Sequence, residues 1–371
     1  MKPILPFVVL ATLQAQPRTP QDVFSALQRN AWYLETRDQA AALYVTELGK
    51  GEPVVFLHGG PGNDFHYIVD ALRPHLDHHR FILFDQRGSL MSPVAPRHQD
   101  KLTFDKVLED LEQLREALGQ DRLRLFGHSF GSLVALAYHR KYPERVKSLI
   151  LCGTIPPDLP QGLQGLMKAL IPRQSALLGR TAEIATLCQA EGLPIEPGQD
   201  TPRQATLRRR LTQQAPLAII DLRKWREVTG GGVYCNEATA EAIAVTLTGD
   251  LTFSATLKAH PVPITVLQGD RDFISGTEAW WDLARTLPSI RIHTLPQAGH
   301  FPWIDAPTAF HAGLKAALEE APERPRARQQ PPGPSFPPEG PTPPWAPASA
   351  RPRDPSPWPR YGAVPATAAG R

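Results

Sequence analysis

The stretch RLRLFGHSFGSLVALAY, residues 122–138, constrains the fold more than any other. A short apolar run ends in Gly127-x-Ser129-x-Gly131, and a second apolar run with helical composition follows at once. A strand can pass into a helix over so few residues only if glycines flank the turn, because any other side chain would collide with the backbone. The turn holds one serine hydroxyl out at the end of the strand. The helix N-terminus directs backbone N–H groups and partial positive charge at the same point. A lone Gly-x-Ser-x-Gly is a weak signal, and its place between strand and helix is what gives it weight.

The rest of the chain supplies the sheet that such a turn needs. WYLETRD and AALYVTELG read as two opening strands, rich in β-branched and aromatic residues. PVVFLHG, RFILFDQRG, VKSLILCGT, PITVLQGD and IRIHTLPQAGH read as short buried strands. Helical patterns alternate with them. In TFDKVLEDLEQLREALG, Val107, Leu108, Leu111, Leu114 and Leu118 share one face, with Thr103 as N-cap and Gly119 as stop. This alternation predicts an α/β fold with a mainly parallel sheet. It pauses after the sixth strand. The expectation is a core formed by residues 32–154 and 251–321, with 155–250 inserted as a helical cap over the sheet edge where such folds bind ligands. The run LRRRL at 207–211 reads as a solvated face of a cap helix.

Charge and composition exclude several function classes. The net charge is +3, and the segment from Pro322 onward holds seven arginines against three acids. The basic balance therefore belongs to residues 322–371, a Pro-rich tail expected to be disordered. Its PPGP and PPEGPTPPW stretches are suited to a proline-recognising groove, without naming a partner. The remainder is close to neutral and shows no nucleic-acid footprint. No apolar run reaches the ~20 residues of a membrane span. The N-terminus, MKPILPFVVLATLQA, resembles a short secretory signal with a cut after Ala15, which would make the protein periplasmic or secreted; without it, cytoplasmic. Cys152, Cys188 and Cys235 are too few for a disulfide framework and lack metal-ligand spacing, although export would leave a Cys188–Cys235 bond open. No metal or other cofactor is expected.

A serine hydroxyl is a poor nucleophile at neutral pH. It needs a base within hydrogen-bond reach and an acid to orient that base. LQGDRD offers Asp270 and Asp272 just after a strand, with Asp272 favoured, and LPQAGHFPW offers His300 after the last strand. The order Ser, Asp, His is the one this kind of turn uses. Attack on a carbonyl places negative charge on its oxygen, so backbone N–H donors must wait there. FLHGGPGND, residues 56–64, carries three glycines after a strand. Its bare backbone can approach the oxyanion, with one donor expected from this loop and the other from Phe130. The other histidines, including His58 and His128, read as structural or exposed.

These motifs together, HGGPG at 58–62, DQRG at 85–88, GHSFGS at 127–132, GDRD at 269–272 and GH at 299–300, resemble the α/β-hydrolase superfamily. HGGPG with DQRG is similar to its prolyl iminopeptidase branch, and the resemblance spans about residues 32–320. It implies a Ser129–Asp272–His300 triad, an oxyanion hole at Gly60 and Phe130, a helical cap, and structural roles for Asp85 and Arg87. It also implies acidic residues that hold the substrate's free amino group. Glu227 in KWREVTGG is the first candidate, followed by Glu237 and Glu241 in YCNEATAEA. This chain departs from the branch in two places, Phe273 after the triad aspartate and Phe130 after the serine. The leading expectation is a serine aminopeptidase that releases N-terminal proline. An esterase with the same triad is the alternative, and a non-catalytic binding relative is a lesser one.

Overall fold

The computed structural model describes residues 27–194, 198, 200–229, 236–248, 251–274 and 277–319. The expected leader, the Pro-rich tail and Cys235 lie outside these residues. Eight strands form one sheet: β1 (Trp32–Glu35), β2 (Ala42–Gly49), β3 (Glu52–Leu57), β4 (His79–Phe84), β5 (Leu123–His128), β6 (Val146–Cys152), β9 (Ile264–Gly269) and β10 (Ile290–Leu295). The two short strands β7 (Asp158–Leu159) and β8 (Leu251–Thr252) pair separately. The sheet order is β1-β2-β4-β3-β5-β6-β9-β10. The pairs β1–β2 and β2–β4 are antiparallel, and every other pair in the sheet is parallel.

Both faces of the sheet are covered, so its central strands are apolar on both sides. Alternation sorts their side chains into two cores. Val55 and Leu57 of β3 point into one, while Val54 and Phe56 point into the other. Helices α1 (Phe104–Ala117) and α2 (Phe130–Lys141) pack on the first face. The Thr103 side chain caps α1 by accepting from the Lys106 N–H, and Gly119 follows it at φ +63°, as the sequence predicts. Phe310 and Leu314 of the last helix lie in the second core.

The chain crosses between strands β3 and β5 in a way that creates a crevice. It runs β3 to β4 on one side, then returns to place β5 on the other side of β3. Ligands in open α/β sheets bind at such a reversal, beyond the carboxyl ends of the strands. Leu57 lies beside Gly127 in the β3–β5 register. The HGGPG turn and the Ser129 turn therefore leave the sheet side by side.

Residues between β6 and β9 are mainly helical, including α3 (Gly162–Leu178), α4 (Thr181–Ala190), α5 (Pro202–Arg209) and α6 (Glu237–Thr246). The β7–β8 ladder draws the two ends of this segment together. Asp158 reinforces it by accepting from the N–H groups of Phe253 and Ser254 at 2.8 and 2.9 Å. Two-residue strands carry no periodicity, so this ladder was not visible in the sequence. Leu111, fully buried in the first core, tests the packing of α1 on the sheet. Leu111→Ala is expected to cost about 2–5 kcal/mol in a denaturant titration.

Candidate active site

The strand-to-helix turn is strained at one residue. Ser129 has φ 55° and ψ −121°, a region a side-chain-bearing residue rarely adopts, at a cost of about 1–3 kcal/mol. Close packing holds it there. The Ser129 N–H donates to the Cys152 carbonyl at 3.0 Å, and the Ser132 N–H donates back to the Ser129 carbonyl at 2.9 Å. A Cβ at Gly131 would collide with the Leu57 carbonyl, and one at Gly127 with the Gly131 carbonyl. Phe130 is the first residue of α2, so its N–H has no acceptor within the helix.

His300 and Asp272 come together as a buried pair. His300 Nδ1 lies 2.9 and 3.1 Å from the two carboxylate oxygens of Asp272. A carboxylate accepts, so Nδ1 carries the proton and Nε2 is left as the basic nitrogen. Asp272 is itself fixed. Its Oδ2 accepts from Gln268 Nε2 at 2.9 Å, and its Oδ1 accepts from the Ile274 N–H at 2.9 Å. Gln268 is anchored in turn, its Oε1 accepting from the Thr154 N–H at 2.8 Å. Asp270 is exposed and accepts from the Ala298 N–H at 3.3 Å. Of the two aspartates the sequence offered, Asp272 is the one that meets His300.

One backbone corner lies beside both the pair and the Ser129 turn. Cys152, which accepts from the Ser129 N–H, is followed by Gly153 at φ +52°. A Cβ on Gly153 would sit 2.8 Å from His300 Nδ1 and 3.2 Å from Asp272 Oδ2. The imidazole of His300 therefore packs on bare backbone next to the serine turn.

HGGPG closes the other side. A Cβ on Gly59 would lie 2.8 Å from Ser129 Cβ. The Gly59 N–H is committed to the Tyr67 hydroxyl at 2.6 Å, which leaves Gly60 as the next donor along the loop. His58 ties this loop to DQRG. It accepts from the Gln86 N–H at Nε2 (3.1 Å), while the Gln86 amide donates to its carbonyl at 3.0 Å. Complete burial pushes the His58 pKa down to about 4, so it stays neutral. Arg87 is buried in a bidentate pair with Asp110, at 2.6 Å for both bonds, and also donates to Asp38 at 3.0 Å. Asp85 accepts from the Met91 N–H at 2.9 Å. Both DQRG charges thus bond to the scaffold.

The three glutamates are all exposed. Glu227 ends the short helix Leu222–Glu227, and Glu237 and Glu241 lie on α6. The start of α6 leans on the HGGPG turn, since the Asn236 N–H donates to the Gly62 carbonyl at 3.0 Å. Cys152 and Cys188 are buried free thiols. Among the described residues no group of three or more His, Cys, Asp or Glu side chains is placed to hold a metal ion, and no helix is long and apolar enough to cross a membrane.

Gly153, Gln268 and Tyr67 escaped the sequence reading. Gln268 gave a signal, as a polar side chain at the end of an apolar buried strand. Gly153 and Tyr67 gave none, because their partners are remote in sequence. Gly153→Ala is expected to lower kcat of the hydrolytic reaction by about 100-fold, the scale of a displacement near 1 Å at a reacting group. Thermal unfolding should shift by only a few degrees. A kcat within twofold of the parent would contradict this packing.

Comparisons with known proteins agree with the architecture. The family model described as alpha/beta hydrolase fold matches residues 52–307. A probable proline iminopeptidase from Leptolyngbya boryana is 27% identical over 313 residues, covering 76% of this chain and 90% of that one. Among solved structures, a proline iminopeptidase-related protein from Thermus thermophilus superposes with a TM-score of 0.52 at 27% identity, covering 78% of this chain and 96% of that one. A thermophilic esterase from Thermogutta terrifontis superposes with a TM-score of 0.53 at 25% identity, covering 78% and 97%. With its mostly parallel eight-stranded sheet and this family match, the chain belongs to the α/β-hydrolase family, and its sequence is similar to proline iminopeptidases.

Proposed function

We propose that this hydrolase is a serine aminopeptidase of the proline iminopeptidase type, acting through Ser129, His300 and Asp272. The observation that carries the reading is the buried His300–Asp272 pair, packed on Gly153 beside the strained Ser129 turn. In this scheme His300 Nε2 takes the proton from Ser129 Oγ as the oxygen attacks the carbonyl carbon. The Gly60 and Phe130 N–H groups stabilise the oxyanion, each contributing on the order of 3 kcal/mol. His300 then gives the proton to the leaving amine, and water hydrolyses the acyl-enzyme by the same route. Asp272 keeps the proton on Nδ1 and stabilises the imidazolium.

Residues 155–250 serve as the cap in this reading. Two contacts support it: the Phe301 N–H donates to the Ala218 carbonyl at 2.7 Å, and Asn236 bonds to Gly62. The segment thus touches both the histidine loop and the oxyanion loop. A substrate ammonium needs a counter-charge. The contact of Asn236 with Gly62 favours Glu237, the next residue, over Glu227 and Glu241. The second reading is an esterase without amine recognition. It is favoured by the exposure of all three glutamates and by the uncharged Phe273 next to Asp272, whose ring lies 5.0 Å from that of His300.

Hydrolysis of proline p-nitroanilide and of a short-chain p-nitrophenyl ester separates the readings. Cleavage of both, abolished by Ser129→Ala, is expected. Glu237→Gln should then lower kcat/KM on the anilide by about tenfold or more, roughly 1.4 kcal/mol, with the ester changed less than about threefold. Ester cleavage alone would move the function to an acyl hydrolase.

A further inference from the structure

His128 occupies the variable position of the Gly-x-Ser-x-Gly turn, which the hydrolytic scheme leaves without a role. It is 1% exposed. Its Nε2 lies 3.0 Å from the His300 carbonyl, and its Nδ1 lies 2.8 Å from the Tyr67 hydroxyl. A carbonyl only accepts, so Nε2 carries the proton and Nδ1 accepts from Tyr67. The Tyr67 oxygen in turn accepts from the Gly59 N–H at 2.6 Å. One directed chain therefore runs from Gly59 through Tyr67 and His128 to the backbone of His300. Its two ends are the oxyanion loop and the base.

The surroundings hold this chain in place. The His128 ring contacts Tyr67, Phe301 and Trp303 at centroid separations of 5.3, 5.4 and 5.0 Å. Tyr67 is stacked on Phe301 and Trp303 at 5.2 and 5.9 Å. The rings pack against His128 and Tyr67 together, so neither can turn without unpacking the cluster. The His128 ring also lies 4.6 Å from that of His300. A second positive charge there would repel the imidazolium that His300 becomes when it takes the serine proton. The bond from the Tyr67 hydroxyl requires the neutral form of His128, since a protonated Nδ1 could not accept it. Burial and the neighbouring His300 hold its pKa well below the ordinary value.

We propose that His128 and Tyr67 are positioning residues that fix the His300 backbone and the Gly59–Gly60 oxyanion loop relative to each other, through the chain Gly59 N–H to Tyr67 O–H to His128 to the His300 carbonyl. The proposal rests on the reading of Ser129, His300 and Asp272 as the catalytic group. Neither residue touches the reacting atoms. They act on the transition state, where the base and the oxyanion donors must be in register at once, and not on substrate binding.

The test compares kcat and KM on a short-chain p-nitrophenyl ester for the parent, Tyr67→Phe, His128→Leu and His128→Gln, with active sites counted by phosphonate titration. Tyr67→Phe and His128→Leu are expected to lower kcat per active site by about 10- to 100-fold, with KM within about threefold. His128→Gln restores an N–H towards the His300 carbonyl, so it should be at least about tenfold faster than His128→Leu. A Tyr67→Phe kcat per active site within twofold of the parent overturns the proposal, and that result decides the matter if His128→Leu does not fold. Equal rates for His128→Gln and His128→Leu also overturn it. Ser129→Ala tests the underlying reading separately. Retained activity there removes the triad, whereas a dead Ser129→Ala beside an unimpaired Tyr67→Phe removes only the positioning role.

Discussion

Helix α2 leaves β5 so close to β3 that Gly131 leans on the Leu57 carbonyl with no room for a methyl group between them. That contact sets the direction of the helix. It also forces Ser129 into its strained conformation, and it brings the end of β3 against the serine turn. The HGGPG loop can approach Ser129 only because β3 ends there. The N–H of Phe130 faces the same point because the helix begins there. A substitution at Gly131 would disturb the Ser129 turn, the helix N-terminus and the HGGPG loop together.

Around this contact the molecule builds rigidity from buried polar groups that are each paired. Arg87 is held by Asp110 and Asp38, and His58 joins the HGGPG and DQRG loops. Gln268 joins Thr154 to Asp272, and His128 joins Tyr67 to His300. These links tie the loops that follow different strands to one another and, through Arg87–Asp110, to helix α1. Removing one partner from such a link leaves a buried group unpaired, which costs more than the bond itself contributed. The loops at the carboxyl edge of the sheet are thus fixed mainly by side chains and not by regular secondary structure. This is how irregular backbone can hold a site in place.

Much of this could be read from the sequence, for physical reasons. The strands showed because burial on both faces leaves continuous apolar runs. Helix α1 showed because Val107, Leu108, Leu111 and Leu114 recur on one face between a capping Thr103 and Gly119. The serine turn showed because only glycine fits at 127 and 131. His300 and Asp272 could be located as loop residues after strands, and the sequence favoured Asp272 while leaving Asp270 as the next candidate, since both follow β9 closely. The structure separates them by burial and by the bond to His300. Gly153, Tyr67 and the roles of His58 and His128 were out of reach, because each depends on a neighbour contributed by another strand or loop. The β7–β8 ladder was hidden because two residues carry no pattern.

The central claim is that Ser129 is an activated nucleophile. Incubation with a fluorophosphonate, followed by peptide mass spectrometry, reads this directly. The account predicts one adduct, on Ser129, whose formation slows by about 100-fold or more in His300→Ala. No adduct at Ser129, or one that forms equally fast without His300, would contradict it.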